Sequence, residues 1–333
     1  LLLVTIYTIL GGMLSVLVTD FIQFIVMSAG MLIVTGLILY TVGWDRIVAA
    51  VEARHGAAGF NPFVAPKLGW PYVVFQLLLN TAATLTWQTV IARVLAARDA
   101  RTGQQIFTRT SFFFVCRWMI PGLWGMAALA TLTPAAYAAL SPEMQTDPSL
   151  YAMPLFLGSI LPVGLMGILI AAMLAADMST DSSYMLTWGS VIYNDILAPF
   201  RRRKAISERR GLLWNRLIVA GIGVYLFFFG LVYKIEGNVW DYLTLTGSVY
   251  LSSMSVLLVA CCYWRRANNW GAIGAIILGA AVPVTFLTLQ KLPASSAWAN
   301  ESVGPYYSGI AAFMAAAVGM IAGSLLKPGG MTR

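Results

Sequence analysis

Apolar residues in this chain come in long runs, and most of its polar residues are gathered into the short connections between them. A helix crosses the hydrocarbon core of a bilayer in about 20 residues. On that spacing the pattern predicts the tail of one membrane span at 1–10. Eight complete spans follow at 13–42, 70–97, 110–132, 161–199, 212–233, 240–264, 270–289 and 306–326. Several runs exceed what a bilayer needs, which predicts tilt or continuation beyond it. Pro121, Pro162 and Pro283 mark places where helical hydrogen bonding is expected to be interrupted.

Three runs carry polar residues at membrane depth. The densest is Ala175-Ala176-Asp177-Met178-Ser179-Thr180-Asp181-Ser182-Ser183. At 3.6 residues per turn, Ala176, Ser179, Thr180 and Ser183 share one helix face. An Asp at a helix centre costs roughly 2.5 to 3.5 kcal/mol on insertion scales, so two of them suggest a use. Hydroxyls acting as interhelical glue would account for one or two Ser or Thr here, but poorly for the Asp residues among them. The other reading is an oxygen-rich site for a small hard cation. In it Ser179 or Thr180 perturbs the local ladder and so frees the carbonyl of Ala176.

The second run, Asn80-Thr81-Ala82-Ala83-Thr84-Leu85-Thr86-Trp87-Gln88, lies in the middle of span 70–97. It reads either as a bundle helix whose Thr and Asn bond to neighbours or as a helix locally unwound around a solute. In the second case Trp87 offers a stacking face and Gln88 a donor and an acceptor. In the third run, Gly11-Gly12 breaks the apolar pattern and permits a tight turn between helices, with Asp20 about two turns into the next. Asp20 either snorkels or caps near that end, or serves a site.

Composition agrees with the membrane reading. Hydrophobic residues make up 59%, charged residues only 10%, and the mean hydropathy is +0.78; an ordinary soluble domain is about 25% charged. The net charge of +8 follows from topology. Connections 98–109, 201–210 and 265–266 and the tail 327–333 hold most of the Lys and Arg. The opposite connections hold only Arg46, Arg54, Lys67, Lys234 and Lys291, along with acidic residues. The positive-inside rule then puts the first group and the C-terminus in the cytoplasm. A cell membrane of the bacterial inner-membrane kind is the expected location. Arg201-Arg202-Arg203-Lys204 sits where topology demands positive charge and lacks the aromatics of a nucleic-acid surface. Anionic lipid suits it better as a secondary partner, and no nucleic acid is expected.

The remaining chemistry is sparse. Cys116, Cys261 and Cys262 lie in apolar segments without metal-ligand spacing and are read as small core residues. His55, the only histidine, stands beside Glu52 and Arg54 in connection 43–69 and is assigned no site. No paired nucleophile and base and no metal cluster occurs, so an enzyme is not expected. The first residue falls inside an apolar run without an initiator Met or a signal-peptide pattern, which predicts a start inside a longer protein.

Taken together, several motifs resemble the sodium:solute symporter family of sodium/glucose, sodium/proline and sialic acid transporters. They are Tyr7-Thr8-Ile9-Leu10-Gly11-Gly12 with Thr19-Asp20 and Gln23, then Arg93 with Leu95-Ala96-Ala97-Arg98. Further on come Ala175-Ala176 with Met178-Ser179-Thr180, Asp195-Ile196, and Trp264-Arg265-Arg266 with Gly271-Ala272. The resemblance implies the inverted-repeat fold of the leucine transporter in a single transporter domain. The end of the first repeat would lie at 1–42, the second repeat at about 70–264, and additional helices at 270–326. Spans 13–42, 70–97 and 161–199 become the fifth, broken sixth and eighth core helices, and the first core helix would lie upstream.

The resemblance also implies sodium as coupling ion, held by the carbonyl of Ala176 and the hydroxyls of Ser179 and Thr180. Asp20, Ser182 and Ser183 form a possible second sodium site. Asn80, Thr84, Trp87 and Gln88 are the solute-binding candidates, the solute being a small polar sugar, amino acid or carboxylate. No oligomer is required. The implied function is sodium-coupled symport by alternating access. Proton coupling through Asp20, Asp177 or Asp181 and a membrane sensor domain of a signalling protein are the alternatives. Asp177, Asp181 and Trp87 depart from the expected pattern and leave the solute open. Arg117, about two turns inside its helix, would either pair with Asp181 or a solute carboxylate or snorkel to the cytoplasmic face.

Overall fold

The computed structural model describes residues 1–66, 68–138, 140–141, 144–146, 149–200, 207–233 and 239–327. Lys67, Arg201, Arg202, Arg203, Lys204, Lys234 and Arg333, which contribute to the predicted orientation, lie outside them. In chain order the helices begin with α1 (Leu2–Thr41), α2 (Trp44–His55), α3 (Gly69–Thr86), α4 (Gln88–Leu95) and α5 (Ala100–Thr131). Then come α6 (Pro134–Ala138), α7 (Ser149–Ile160), α8 (Val163–Val191), a wide π-helical turn (Ile192–Leu197) and α9 (Ala198–Phe200). The last are α10 (Glu208–Val232), α11 (Val239–Tyr263), α12 (Asn269–Lys291), α13 (Ser296–Trp298) and α14 (Gly304–Leu326). Among the described residues, seven helical segments are long and apolar enough to cross a membrane.

The count differs from the eight expected for a physical reason. Span 70–97 is cut at Trp87 into α3, whose 18 residues include Gln76, Asn80, Thr81, Thr84 and Thr86 and are too polar on average to count, and α4, of only 8. The expected turn at Gly11-Gly12 appears as a kink inside α1, where Gly12 takes φ 57° and ψ −155°. That conformation suits glycine alone. Connection 43–69 proves partly helical, because Ile47 and Val51 lie one turn apart on α2 and are both buried. Connection 98–109 is likewise mostly the start of α5. The cysteines are not core residues: Cys116 is half-buried, and the last turn of α11 buries Ala260 while leaving Cys261 and Cys262 exposed.

The chain forms two compact units. The first contains Leu1–Gly56 and Ala96–Tyr233. Here α1 and α8 run antiparallel and so close that a Cβ placed on Gly30 would lie 2.7 Å from that of Ala172. Val34, Ile38, Trp124, Ala127, Phe156 and Leu169 pack where α1, α5, α7 and α8 meet. Trp124 Nε1 donates to Thr35 Oγ1 at 2.9 Å. Lipid tails are as apolar as leucine, so within a bilayer such contacts act through fit rather than removal of water.

The second unit contains Ala57–Leu95 and Lys234–Arg333. Its α12 and α14 are in backbone contact, and a Cβ on Gly274 would fall 2.5 Å from the carbonyl oxygen of Gly319. Along α11, Thr244, Ser248, Ser252 and Ser255 are buried on one face. Their hydroxyls donate to carbonyls within 2.6 to 3.5 Å, that of Ser252 reaching Gly279 on α12. Small size permits the close approach, and the local bonds satisfy the polar atoms.

Gly274→Leu is expected to wedge α12 from α14 and lower stability by about 1–3 kcal/mol or more, read from thermal unfolding in detergent. A second expectation concerns Asp99, which caps α5 by accepting the Thr102 N–H at 2.7 Å. That bond holds its carboxyl below the usual carboxylate range. A lowered folded-state pKa contributes stability that is present above the unfolded value of about 4 and lost as pH falls through the folded one. Asp99→Ala should therefore speed amide exchange in the first turn of α5 at neutral pH, and the difference from the parent should fade on acidification below about pH 4.

Candidate ion and solute site

Ala176, Ser179, Thr180, Ser182 and Ser183 occupy two successive turns of α8, which stays helical throughout. Ser179 Oγ and Thr180 Oγ1 donate to the carbonyl of Ala176 at 3.1 and 3.0 Å. Ser182 Oγ and Ser183 Oγ donate to the carbonyl of Ser179 at 3.2 and 2.6 Å. The Ala176 carbonyl is thus not freed as expected, because back-bonding satisfies the hydroxyls without opening the helix. A cation taken by that carbonyl must displace at least one hydroxyl donor. The expected common face is also graded in depth. Ser182 is fully buried, Ser179 and Ser183 are half-buried, and Thr180 is exposed.

The α1 helix supplies the wall along this run. Before the Gly12 kink, the Tyr7 hydroxyl donates to the carbonyl of Met178 at 3.2 Å. Thr8 is only 1% exposed, and its Oγ1 has no hydrogen-bond partner among the described residues. Asp20 is half-buried beyond the kink, between this contact and the Gly30–Ala172 crossing. Arg117 does not pair with Asp181. Its guanidinium lies 5.8 Å from the ring centre of Phe114 and 5.9 Å from that of Trp118. Among the described residues no group of three or more His, Cys, Asp or Glu could hold a metal.

The second unit contains the other polar run. Trp87 leaves the helical conformation at φ −67°, ψ 110°. The amide of Val90 turns to the carbonyl of Trp87, three residues back, instead of to that of Thr86, and Ile91 resumes the ordinary helical bond to Trp87. The displaced Thr86 carbonyl accepts the Tyr250 hydroxyl at 3.0 Å. Thr84 Oγ1 bonds to the carbonyl of Asn80, and Asn80 Nδ2 to both oxygens of Gln76, within 2.8 to 3.2 Å. Trp87 packs at the edge of a cluster of Phe75, Leu79, Ala82, Leu251 and Phe313. Gln88, half-buried, begins α4. The candidates Asn80, Thr84, Trp87 and Gln88 thus sit around one helix break.

Sequence reasoning missed Tyr250, which stands among serines in Ser248-Val249-Tyr250-Leu251-Ser252. A large hydroxylated ring in a run of small residues was the available signal. It also missed the pairing of Tyr306 with Asp241, whose side chains interact where α14 and α11 begin. The Tyr72 ring meets Tyr306 edge-on at 5.1 Å.

Residues 1–279 match the family described as the sodium:solute symporter family. The chain belongs to that family. It is a multi-pass membrane protein of a transporter family, not of an enzyme family. Proteins similar to this chain include an osmoregulated proline transporter of Bacillus subtilis, 26% identical over 86% of this chain and 55% of the relative. A sodium/mannose cotransporter of Bos taurus is 27% identical over 97% of the chain and 59% of the relative. A sodium/myo-inositol cotransporter of Mus musculus is 24% identical over 85% and 46%. The chain spans about half the length of these curated relatives.

Tyr250→Phe keeps the ring and removes the hydroxyl that covers the Thr86 carbonyl. A buried acceptor left without a partner costs about 1–3 kcal/mol. The variant should unfold at a lower temperature and exchange its amides faster on either side of Trp87; unchanged values would mean that another group covers that carbonyl.

Proposed function

We propose that this chain works in sodium-coupled secondary active symport, carrying a small polar organic solute into the cell by alternating access. The observation that carries this reading is the oxygen-only run on α8. Four hydroxyls and the carbonyls of Ala176 and Ser179 are gathered on two turns at membrane depth. Hard cations of this kind take oxygen ligands, and Ala176, Ser179 and Thr180 are the residues we assign to the coupling sodium. Asp20, Ser182 and Ser183 are assigned to a second one, Asp20 supplying the compensating charge.

The fold we infer is the inverted repeat of the leucine transporter, with the first repeat ending in 1–42, the second at about 70–264, and further helices at 270–326. The break at Trp87 supports it, because discontinuous helices are where such transporters bind their solutes. We assign Asn80, Thr84, Trp87 and Gln88 to the solute. Proline, mannose and myo-inositol, named for the relatives, set its size and polarity. The location is a cell membrane of the bacterial inner-membrane kind, with the C-terminus in the cytoplasm by the distribution of Lys and Arg.

Inward movement of one sodium contributes about 2.3 kcal/mol per 100 mV from the electrical gradient alone. It drives uptake only if sodium binds the outward-open, solute-competent state more tightly than the inward-open one. Ser179→Ala and Thr180→Ala should each raise the sodium concentration for half-maximal uptake roughly tenfold, the effect of about 1.4 kcal/mol, with little change in thermal stability. Unchanged sodium dependence in both would remove the assignment. Uptake that persists without sodium and collapses with the pH gradient would replace sodium by protons.

A further inference from the structure

Within the second unit, a groove with a cavity volume of about 770 Å³ opens between α3, α11 and α14. Its walls are almost wholly apolar, among them Leu77, Leu85, Val259, Phe313 and Ile321. Leu77, Leu85, Val259 and Ile321 are also exposed, so the groove is open along its side. A polar solute has too few partners there. At one end the wall is made by Tyr263 and Trp264, and the next two residues are Arg265 and Arg266, both exposed.

A third cation stands at the same corner. Asn268 Nδ2 donates to the carbonyls of Ser324 and Lys327 at 3.1 and 2.8 Å, tying the α11–α12 turn to the end of α14. Lys327 Nζ lies 3.9 Å from the ring centre of Trp270. The corner thus combines an apolar channel, the rings of Tyr263, Trp264 and Trp270, and three basic residues, Arg265 and Arg266 next in sequence to Trp264 and Lys327 over Trp270. Aromatic rings of this kind mark the membrane–water interface. Cations at the cytoplasmic edge of a groove between helices match an anionic headgroup.

We propose that this groove binds one anionic phospholipid, its acyl chain lying against Leu85, Val259 and Ile321 and its phosphate held by Arg265 and Arg266. A neutral lipid would fill the channel but leave the cationic corner without a counterpart. The site depends on the membrane character of the chain and is independent of which ion or solute it carries.

The test is native mass spectrometry of the delipidated full chain, titrated with phosphatidylglycerol or with phosphatidylcholine of the same acyl chains. Phosphatidylglycerol should be retained at lower added lipid. R265Q/R266Q should weaken its retention about tenfold or more and leave that of phosphatidylcholine unchanged. R265K/R266K should restore most of the loss, which separates charge from folding. Val259→Trp, which fills the groove, should reduce retention of both lipids. Equal loss of both lipids in R265Q/R266Q would overturn the proposal. So would an equal loss of phosphatidylglycerol in R201Q/R202Q/R203Q, which would make the effect one of general surface charge.

Discussion

Inside a bilayer a backbone amide or carbonyl has no water to turn to, and leaving one without a partner costs several kcal/mol. That constraint sets the architecture of this protein, and its exceptions are the informative places. At Gly12 the chain turns through a conformation open to glycine. At Trp87 the ladder lapses, and a phenol from another helix takes up the displaced carbonyl. Irregular backbone at membrane depth is tolerated only where protein or a cavity surrounds it. The two lapses therefore bear more on function than the long regular helices around them.

The hydroxyl-rich helices show the same rule at side-chain level. In both α8 and α11 serines and threonines bond back to carbonyls of their own helix, Ser252 excepted, which reaches α12. In α11 this lets small residues sit in a tight interface beside α12, as glue. The run in α8 differs in its company: Asp177 and Asp181 lie beside it, and Thr180 is exposed.

Much of the fold was legible because the length of an apolar run maps directly onto a helix that must cross a fixed thickness. The kink at Gly11-Gly12 and a break within 80–88 could be read from local chemistry. The position of the break at Trp87 could not, since it depends on Tyr250, distant in sequence. Helix α2 was hidden by its polar average, although Ile47 and Val51 carried a helical spacing. Cys261 and Cys262 were misjudged because an apolar residue in a membrane helix can face lipid as readily as core. In the candidate site the residue types could be read, but the state of the Ala176 carbonyl could not. Ser and Thr in a helix can either open the ladder or bond quietly within it, and the same letters describe both.

The back-bonded hydroxyls of α8 have an electrostatic consequence. A carbonyl cannot donate, so each of these hydroxyls spends its single proton on the backbone, and at Ser179, Thr180 and Ser183, which are not fully buried, oxygen lone pairs are left to face outward. The surface left is rich in acceptors and lacks side-chain O–H donors. An anion or a carbonyl arriving there meets the negative end of every hydroxyl dipole. A small cation meets hydroxyl oxygens already turned toward it, and only to reach the Ala176 carbonyl must it move a hydroxyl proton aside. The sign of the electrostatic potential over this stretch of α8 is thus set by which way its O–H bonds point.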